Sequence, residues 1–565
     1  MSADLLLNNF HAIAEAPNGT QNLRELILRL AFQGKLVPQD SHDRQASELL
    51  ERMKKEKDRL VKERKLKRSE SLPPISDKET PYQLPEDWIW ARLAEVAHDW
   101  GQKVPDERFT YIDVSSIDKA RGVVSEDVKI LDDDEAPSRA RRIVVEGTVI
   151  YSTVRPYLLN TAIIENKIIP EPIVSTAFAV LHPYTGLENR YLHYYLRSKT
   201  FTNFVSTEMT GMAYPAISET KLQFGPVPLP PTNEQRRIVA KVDQLMALCD
   251  ELEKRQEKKH QVTVQLNESA LNKLTAARTE EELDKHWQRI KRNFDLLYDT
   301  PENVGKLKLA ILQLAVQGKL VPQDPKDEPA SVLLKRIRDE KERLIREKKI
   351  KPSKPLPPIS PDEVPFELPK RWVWATLGEI ATRVQIGPFG SQLHKRDYVK
   401  GGIPIVNPTH IKEEKILPKD VSAIDKTTAA RLSQYLMQTG DVVMGRRGEM
   451  GKCALVTEKE NGWLCGSGSL FIRTTDSIKK RYLLKLLTSE YTRTYLLDNS
   501  VGTTMDNLNQ QILFELPVPL PPMNEQERIS DRVDSLLQKC ETLHEKLRQT
   551  LSAAERIAEA VVREA

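Results

Sequence analysis

Cysteine is scarce in this 565-residue chain: only Cys249, Cys453, Cys465 and Cys540, none in a CxxC pair. That usage argues against a disulfide framework and a zinc site, and makes a reducing, cytoplasmic setting the expectation. Aromatic residues are only 6% while charged ones reach 29%, a balance that suits a soluble chain with much exposed helix. No apolar run reaches the roughly 18 residues a membrane span needs, so no membrane contact is expected. The N-terminal MSADLLLNNFHAIAEAPNGT lacks a basic segment ahead of an apolar one, and no signal peptide is read there. An excess of one charge is also missing, since 85 Lys and Arg against 81 Asp and Glu leave +4. This excludes a protein that coats DNA by bulk charge and an acidic disordered chain, so any nucleic-acid contact must use local patches.

Signatures of catalysis are lacking too. There is no GxxxxGK[ST] phosphate loop: Gly34-Lys35 and Gly318-Lys319 are followed by leucine and have no upstream glycine. HExxH and GxGxxG are missing. Asn407-Pro408-Thr409-His410 does not match the Asn/Asp-Pro-Pro-aromatic motif of an adenine methyltransferase. Gly445–Gly451 follows a strand-like run, but no acidic residue is placed as a ribose ligand, which leaves a turn-rich recognition or scaffold loop. The 10 histidines do not cluster, and Pro105-Asp106 and Pro361-Asp362 are too ordinary to mark a metal nuclease. The residues read as a duplicated binding protein with no identifiable catalytic centre.

What is present is a long repeat. AFQGKLVPQD at 31–40 returns as AVQGKLVPQD at 315–324, an offset of 284. Leu72-Pro73-Pro74-Ile75-Ser76 and Leu84-Pro85-x-x-Trp88-x-Trp90 return at the same offset, the latter as Leu368-Pro369-x-x-Trp372-x-Trp374. Pro228-Leu229-Pro230-Pro231-x-Asn233-Glu234-Gln235 returns as Pro519-Leu520-Pro521-Pro522-x-Asn524-Glu525-Gln526, but at an offset of 291. The segments between therefore differ by 291 − 284 = 7 residues. Each half has a similar entrance, a divergent middle and a similar exit. Such a period is too long for a solenoid and suits two complete domains on shared connectors.

The middles, about 88–231 and 372–522, carry β-branched runs such as Arg142–Val145, Gly147–Tyr151 and Gly440–Met444 between Gly and Pro, which predicts strands and turns. A helix is predicted near Asn189–Phe204 and another near Lys480–Leu497. Past each exit, apolar residues step by 4 and 3: Ile238, Val242, Leu245, Cys249, Leu252, and Ile529, Val533, Leu536, Cys540, Leu543, Leu547, then Ala554, Ile557 and Val561. That narrow seam needs a partner helix, and the other copy is the obvious one. Asn233 and Asn524 are read as N-caps. Cys249 and Cys540 hold equivalent seam positions, which burial explains better than reactivity. Trp88, Trp90, Trp372 and Trp374 alternate as on one face of a strand, which fits core packing better than base stacking. Residues 54–68 hold nine basic and three acidic residues, and 338–354 hold eight and four. They read either as solvated helix faces laced with i,i+4 pairs, or as basic ridges near a DNA backbone or a partner subunit.

The framed duplication resembles the specificity subunit of type I restriction–modification enzymes, through the entrances LPxxW and the exits PLPPxNEQ, over about 22–565 in organisation. Gly387-Pro388-Phe389-Gly390-Ser391 and Gly440-Asp441-Val442-Val443 look like turns of that family, with Thr148 in place of the acid in the first half. The resemblance implies a mixed α/β (α+β) fold with two similar target recognition domains, separated by long antiparallel coiled-coil-like helices, in a pseudo-twofold repeat. The implied division is an N-terminal helical region 1–83, a recognition domain 84–231, a helical spacer with a repeat of the N-terminal region 232–367, a second recognition domain 368–522 and a C-terminal helix 523–565.

Such a chain would bind double-stranded DNA, each domain reading half of a split target in the major groove. Half-sites about one turn, roughly 34 Å, apart face the same way. The partners implied are modification (methyltransferase) subunits, two of them, which carry S-adenosylmethionine and flip the target adenine, and restriction subunits, which use ATP and Mg2+. This chain would hold no cofactor, metal or catalytic residue of its own. The candidate DNA-contacting residues are Ser115, Ser116, Arg155 and Tyr214 in the first domain and Ser391, Gln392, His394, Arg446 and Arg447 in the second. Arginine bidentate to guanine is the commonest specific contact. Each candidate also has a plainer reading as a turn residue or a phosphate contact. Two other functions stand beside this one: a non-catalytic adaptor whose sheet domains bind proteins, and an unrecognised nuclease. Salt-dependent, sequence-selective DNA binding separates the first, and a magnesium-dependent cleavage test the second.

Overall fold

The structure is a computed structural model that describes residues 13–67, 72–211, 213–352, 356–360, 363–389, 392–417, 422–446, 451–499 and 508–564. The chain forms two compact units, residues 1–259 with 550–565, and residues 260–549. A continuous helix of 45 residues, Thr232–Ala276, leads from the first unit into the second, and a helix of 42 residues, Met523–Glu564, leads back. Both begin one residue ahead of Asn233 and Asn524, so these lie in the first turn instead of capping it. Among the described residues no helix is long and apolar enough to cross a membrane.

In the first unit, helices Gly19–Phe32 and Ala46–Lys62 precede a strand, Ile89–Arg92, that pairs antiparallel with Pro226–Leu229. Entrance and exit of the divergent middle are thereby tied together. Between them lie a four-stranded sheet, in the order 129–131, 109–112, 172–175, 140–143, and a six-stranded sheet, in the order 97–98, 178–183, 149–152, 161–163, 123–124, 117–118. The central strand Val149–Ser152 is buried on both faces. Val149 and Tyr151 face the core shared with the helices, and Ile150 faces a second core with Phe178 and Val180, as the period of two requires.

The second unit repeats this plan. Val373–Thr376 pairs with Pro517–Leu520. Val442 and Met444 face one core and Val443 the other. Its central sheet runs 381–386, 469–474, 442–445, 453–455. At the turn before the central strand, the buried Asp441 takes a bidentate pair from Arg473, at 2.7 Å from Nε and 2.6 Å from Nη2. In the first unit Thr148 stands at this turn and meets His182, with Oγ1 3.0 Å from Nδ1. Burial holds His182 below the usual histidine range, which favours its neutral form. The domain without the acid is also the one without the arginine, so neither leaves a buried charge without its counterion.

Each predicted helix after the sheet is broken in two. Asn189–Leu196 and Lys199–Glu208 are separated at Ser198, whose hydroxyl accepts from Phe201 N–H at 3.3 Å. Ser489 restarts the second pair, accepting from Thr492 N–H at 3.3 Å. A serine that caps competes with helix continuity, and an apolar periodicity does not reveal the break.

The seams are occupied within each unit. In the first, Cys249 packs with Ala558, Ile13 and Leu23. In the second, Cys540 belongs to one core with Leu271 and Leu274 and with the seam residues Ile529 and Val533 of its own helix. Near the end of the chain the buried position is Ala558, while Ile557 is 50% exposed. A straight helix of 3.6 residues per turn drifts off a strict heptad, and here it has moved the stripe by one residue.

Candidate nucleic-acid interface

The repeated motifs meet in space, and the same joint is built in both units. In the first, Glu234 accepts from Trp88 Nε1 at 2.9 Å and from Gln39 Nε2 at 2.6 Å. Its neighbour Gln235 accepts from Glu188 N–H at 2.8 Å and donates to Pro230 O at 2.9 Å. Arg237 pairs with Asp43 at 2.7 Å. In the second unit Glu525 accepts from Gln323 and stands beside Trp372. Gln526 accepts from Lys479 N–H at 2.9 Å, and Arg528 pairs with Asp327 at 2.7 Å. Burial pushes both Glu234 and Glu525 above the ordinary carboxylate range, against the hydrogen bonds each accepts. Gly34 and Gly318 lie at φ +68 and +70, where a Cβ would come 2.4 Å from Pro85 Cγ and 2.5 Å from Pro369 Cγ. The three motifs are therefore one clasp. It mounts each variable domain on its helices, and sequence reading took its members one at a time. The joint repetition of Gln39, Asp43 and Arg237 as Gln323, Asp327 and Arg528 was the available signal.

Beyond the clasp, the candidates sit on loops at strand ends. Arg155 follows the central strand at φ +47 and ψ +53, a left-handed conformation uncommon outside glycine. Its N–H donates to Pro215 O at 2.8 Å, and Val154 bridges Ala216. This brings the turn after the central strand against the loop before the exit helix, the short helix Glu219–Gln223 that precedes the exit strand Pro226–Leu229. The Arg155 guanidinium lies over Tyr214, 4.8 Å from the ring centroid, and its Nη2 donates to Ala213 O at 3.2 Å. Tyr214 is 70% exposed. Tyr157 and Leu158, in the short turn that follows Arg155, are exposed as well, and sequence reading passed over both.

Ser115 and Ser116 lie elsewhere. The strand Thr161–Ile163 joins the central strand at one end, where Ser152 N–H donates to Asn160 O. Ser116 belongs to the opposite end, because Val123 is level with Ile163 and Ser125 N–H donates to Ser116 O. Both serines serve their own turn: Ser115 N–H donates to Asp113 Oδ1 at 2.8 Å, and Ser116 Oγ accepts from Asp113 N–H at 3.2 Å.

In the second domain Ile386 and Gly445 end beside each other on the strand that starts at Ser469, with Ile386 level with Leu470 and Gly445 with Ser469. Arg446 N–H donates to Gly468 O at 3.0 Å, Gly387 N–H to Ser469 O at 3.0 Å, and Leu508 N–H to Arg446 O at 3.3 Å. Arg446 and the loop leading to Gln392 and His394 thus leave the sheet at one end. Gln392 is held by its own domain, with Oε1 accepting from Tyr435 at 2.8 Å and its carbonyl from Arg431 at 2.8 Å. His394 is exposed, and its N–H donates to Asp397 Oδ2 at 2.8 Å, holding that carboxyl below its usual range. Phe389, 64% exposed, joins the same loop. Ser391 and Arg447 lie outside the described residues. Among the described residues no group of three or more His, Cys, Asp or Glu is arranged to hold a metal ion.

Comparison with known proteins gives a consistent result. The family model described as the type I restriction modification DNA specificity domain matches residues 130–262 and 369–553. The type I restriction enzyme EcoAI specificity subunit of Escherichia coli is 34% identical over 542 residues, which are 93% of this chain and 90% of that one. The EcoEI specificity subunit of the same organism is 32% identical over 560 residues, 96% of this chain and 93% of that one. In fold, the chain is similar to a solved chain from work on the assembly and conformational transition of the type I R-M system, with a TM-score of 0.53 at 23% identity, covering 86% of this chain and 98% of that one.

Proposed function

The chain belongs to the type I restriction–modification DNA specificity family, and we propose how it works within such a complex. It is the DNA-target specificity subunit of such a complex. Each recognition domain reads one half of a split double-stranded target, and partner subunits carry out adenine methylation or cleavage. Two modification subunits supply S-adenosylmethionine chemistry, and restriction subunits supply ATP and Mg2+ chemistry. The chain itself contributes recognition and no reaction step.

The observation that carries this reading is the doubled clasp. Residues that would be idle in a one-domain binder recur pair for pair, Gln39–Glu234 and Arg237–Asp43 as Gln323–Glu525 and Arg528–Asp327. They mount two variable sheets whose exposed loops differ. A frame kept twice around contents that differ is what reading two different half-sites requires. The interface at Arg155 and Tyr214 has the right chemistry: a cation for phosphate or guanine, and an exposed ring that can stack on a base or meet a thymine methyl.

The test uses the purified chain alone and then the chain co-expressed with its modification partner. Alone it should neither methylate nor cut DNA. Together they should methylate adenines in a split motif, with affinity that falls steeply as salt rises. Methyl transfer by the lone chain would overturn the reading.

A further inference from the structure

Each unit carries a basic corner outside the candidate reading loops. Helix Ala46–Lys62 and helix Ala330–Arg346 end in the segments Lys62-Glu63-Arg64-Lys65-Leu66-Lys67 and Arg346-Glu347-Lys348-Lys349-Ile350-Lys351. Each segment holds four cations and one acid, in the same order. Every charged residue in both is exposed, while Leu66 and Ile350 are half-buried and anchor the corner.

Two details set these corners apart from ordinary solvated helix ends. First, the residue at the turn is left-handed and is a cation both times: Arg64 at φ +59 and Lys348 at φ +56. Here the chain reverses through the bonds Lys65 N–H to Leu60 O and Lys349 N–H to Leu344 O, both 2.9 Å. Glycine is the unstrained residue for this position. Its place is held twice by a long cation, and strain kept in both copies points to a use for the side chain. Second, the identities are exchanged while the sign is kept. Lys62 and Arg64 are replaced by Arg346 and Lys348. A bidentate or stacked site does not tolerate that exchange, whereas a phosphate backbone, which needs only point charges, does. The single acid is engaged within the corner, Glu63 by Lys65 at 2.9 Å and Glu347 by Lys349 at 2.7 Å.

We propose that the corners Lys62–Lys67 and Arg346–Lys351 are sequence-independent clamps on the phosphate backbone of the duplex. This inference rests on the reading of the chain as a DNA specificity subunit, and it assigns to these corners a part of the affinity that carries no base information. One corner serves each half, so both halves gain affinity equally whatever the target.

The experiment measures binding of the full chain, assembled with its modification partner, to a labelled mixed-sequence duplex over a range of KCl. It compares wild type with a variant in which Lys62, Arg64, Lys65 and Lys67 are all changed to Gln, and with the matching variant at Arg346, Lys348, Lys349 and Lys351. Each variant should bind several-fold more weakly, and its salt slope should fall by about 0.9 for every phosphate left unneutralised. Arg64→Lys with Lys348→Arg should bind as wild type. Arg64→Gly should melt higher, because strain is relieved, and yet bind DNA more weakly; a merely structural corner would show only the first effect. Unchanged affinity and slope in folded Gln variants would overturn the inference and leave the specificity reading intact, including the case in which these variants lose a protein partner instead. Failure of the wild type to bind any duplex would overturn both.

Discussion

The Arg155 guanidinium lies over the Tyr214 ring, 4.8 Å from its centroid, at the point where the turn after the central strand meets the loop before the exit helix. The two residues are 59 positions apart, and the bridge between Val154 and Ala216 is what joins them. The stack holds an exposed ring and a cation in one fixed arrangement.

Removing that arrangement should weaken recognition of one half-site. Tyr214→Ala is expected to cost about 1–3 kcal/mol of binding in the assembled complex, the usual range when a base no longer has an aromatic ring to stack on. Arg155→Lys keeps the charge without the planar stack, and should fall between wild type and Arg155→Ala. Binding to targets altered in either half measures this: the deficit should vanish when the half read by the first domain is already altered.

The clasp predicts a stability effect. Glu234→Ala leaves Trp88 Nε1 and Gln39 Nε2 without their acceptor inside the joint. A destabilisation of about 1–3 kcal/mol is expected. Glu525→Ala should act likewise in the second unit. Thermal denaturation followed by hydrogen exchange should localise each effect to its own unit.

The glycines of the clasp are equally exacting. Gly318→Ala forces a Cβ toward Pro369 Cγ at 2.5 Å from a left-handed backbone. It should destabilise by more than about 1 kcal/mol, whereas Gly305→Ala, whose Cβ meets open space within a helix, should stabilise slightly. Paired melting curves of the two variants provide the check.

Acid should loosen the first recognition domain before the second. Burial, with help from His182, lowers His98 to about 4, and burial, with help from Arg197, lowers His193 to about 3. Both are neutral when folded, while the unfolded chain takes up their protons near pH 6.5. Their contribution is therefore complete above about pH 6.5 and is lost as pH falls below it, by about 2 kcal/mol for His193 at pH 5. The corresponding places in the second domain are held by Thr382 and Leu484. Hydrogen exchange at pH 7 and pH 5 should show protection falling in 88–231 first.

Much of the frame was legible because it is written twice. The entrances, the exits and the seam residues Ile238, Val242 and Cys249 all recur, and repetition marks residues that must keep their contacts. The helix break at Ser198 was not legible, since apolar spacing runs through it and only the hydroxyl cap interrupts the ladder. The shift from Ile557 to Ala558 escaped for a similar reason: a heptad template does not drift, and a helix does. Reading loops were the least legible. Arg155 and Tyr214 could be nominated singly, but their stacking depends on strand register across the domain. Ser115 and Ser116 were nominated beside them, although the register puts them at the other end of the sheet.

The proposed function requires two separately mounted heads that read two separate half-sites. Replacing residues 88–231 with the equivalent segment of a related specificity subunit, and sequencing methylated adenines in cells that also carry the modification partner, tests it directly. The account predicts a new split motif in which one half is changed and the other is retained. A motif altered in both halves, or unaltered in either, would contradict it.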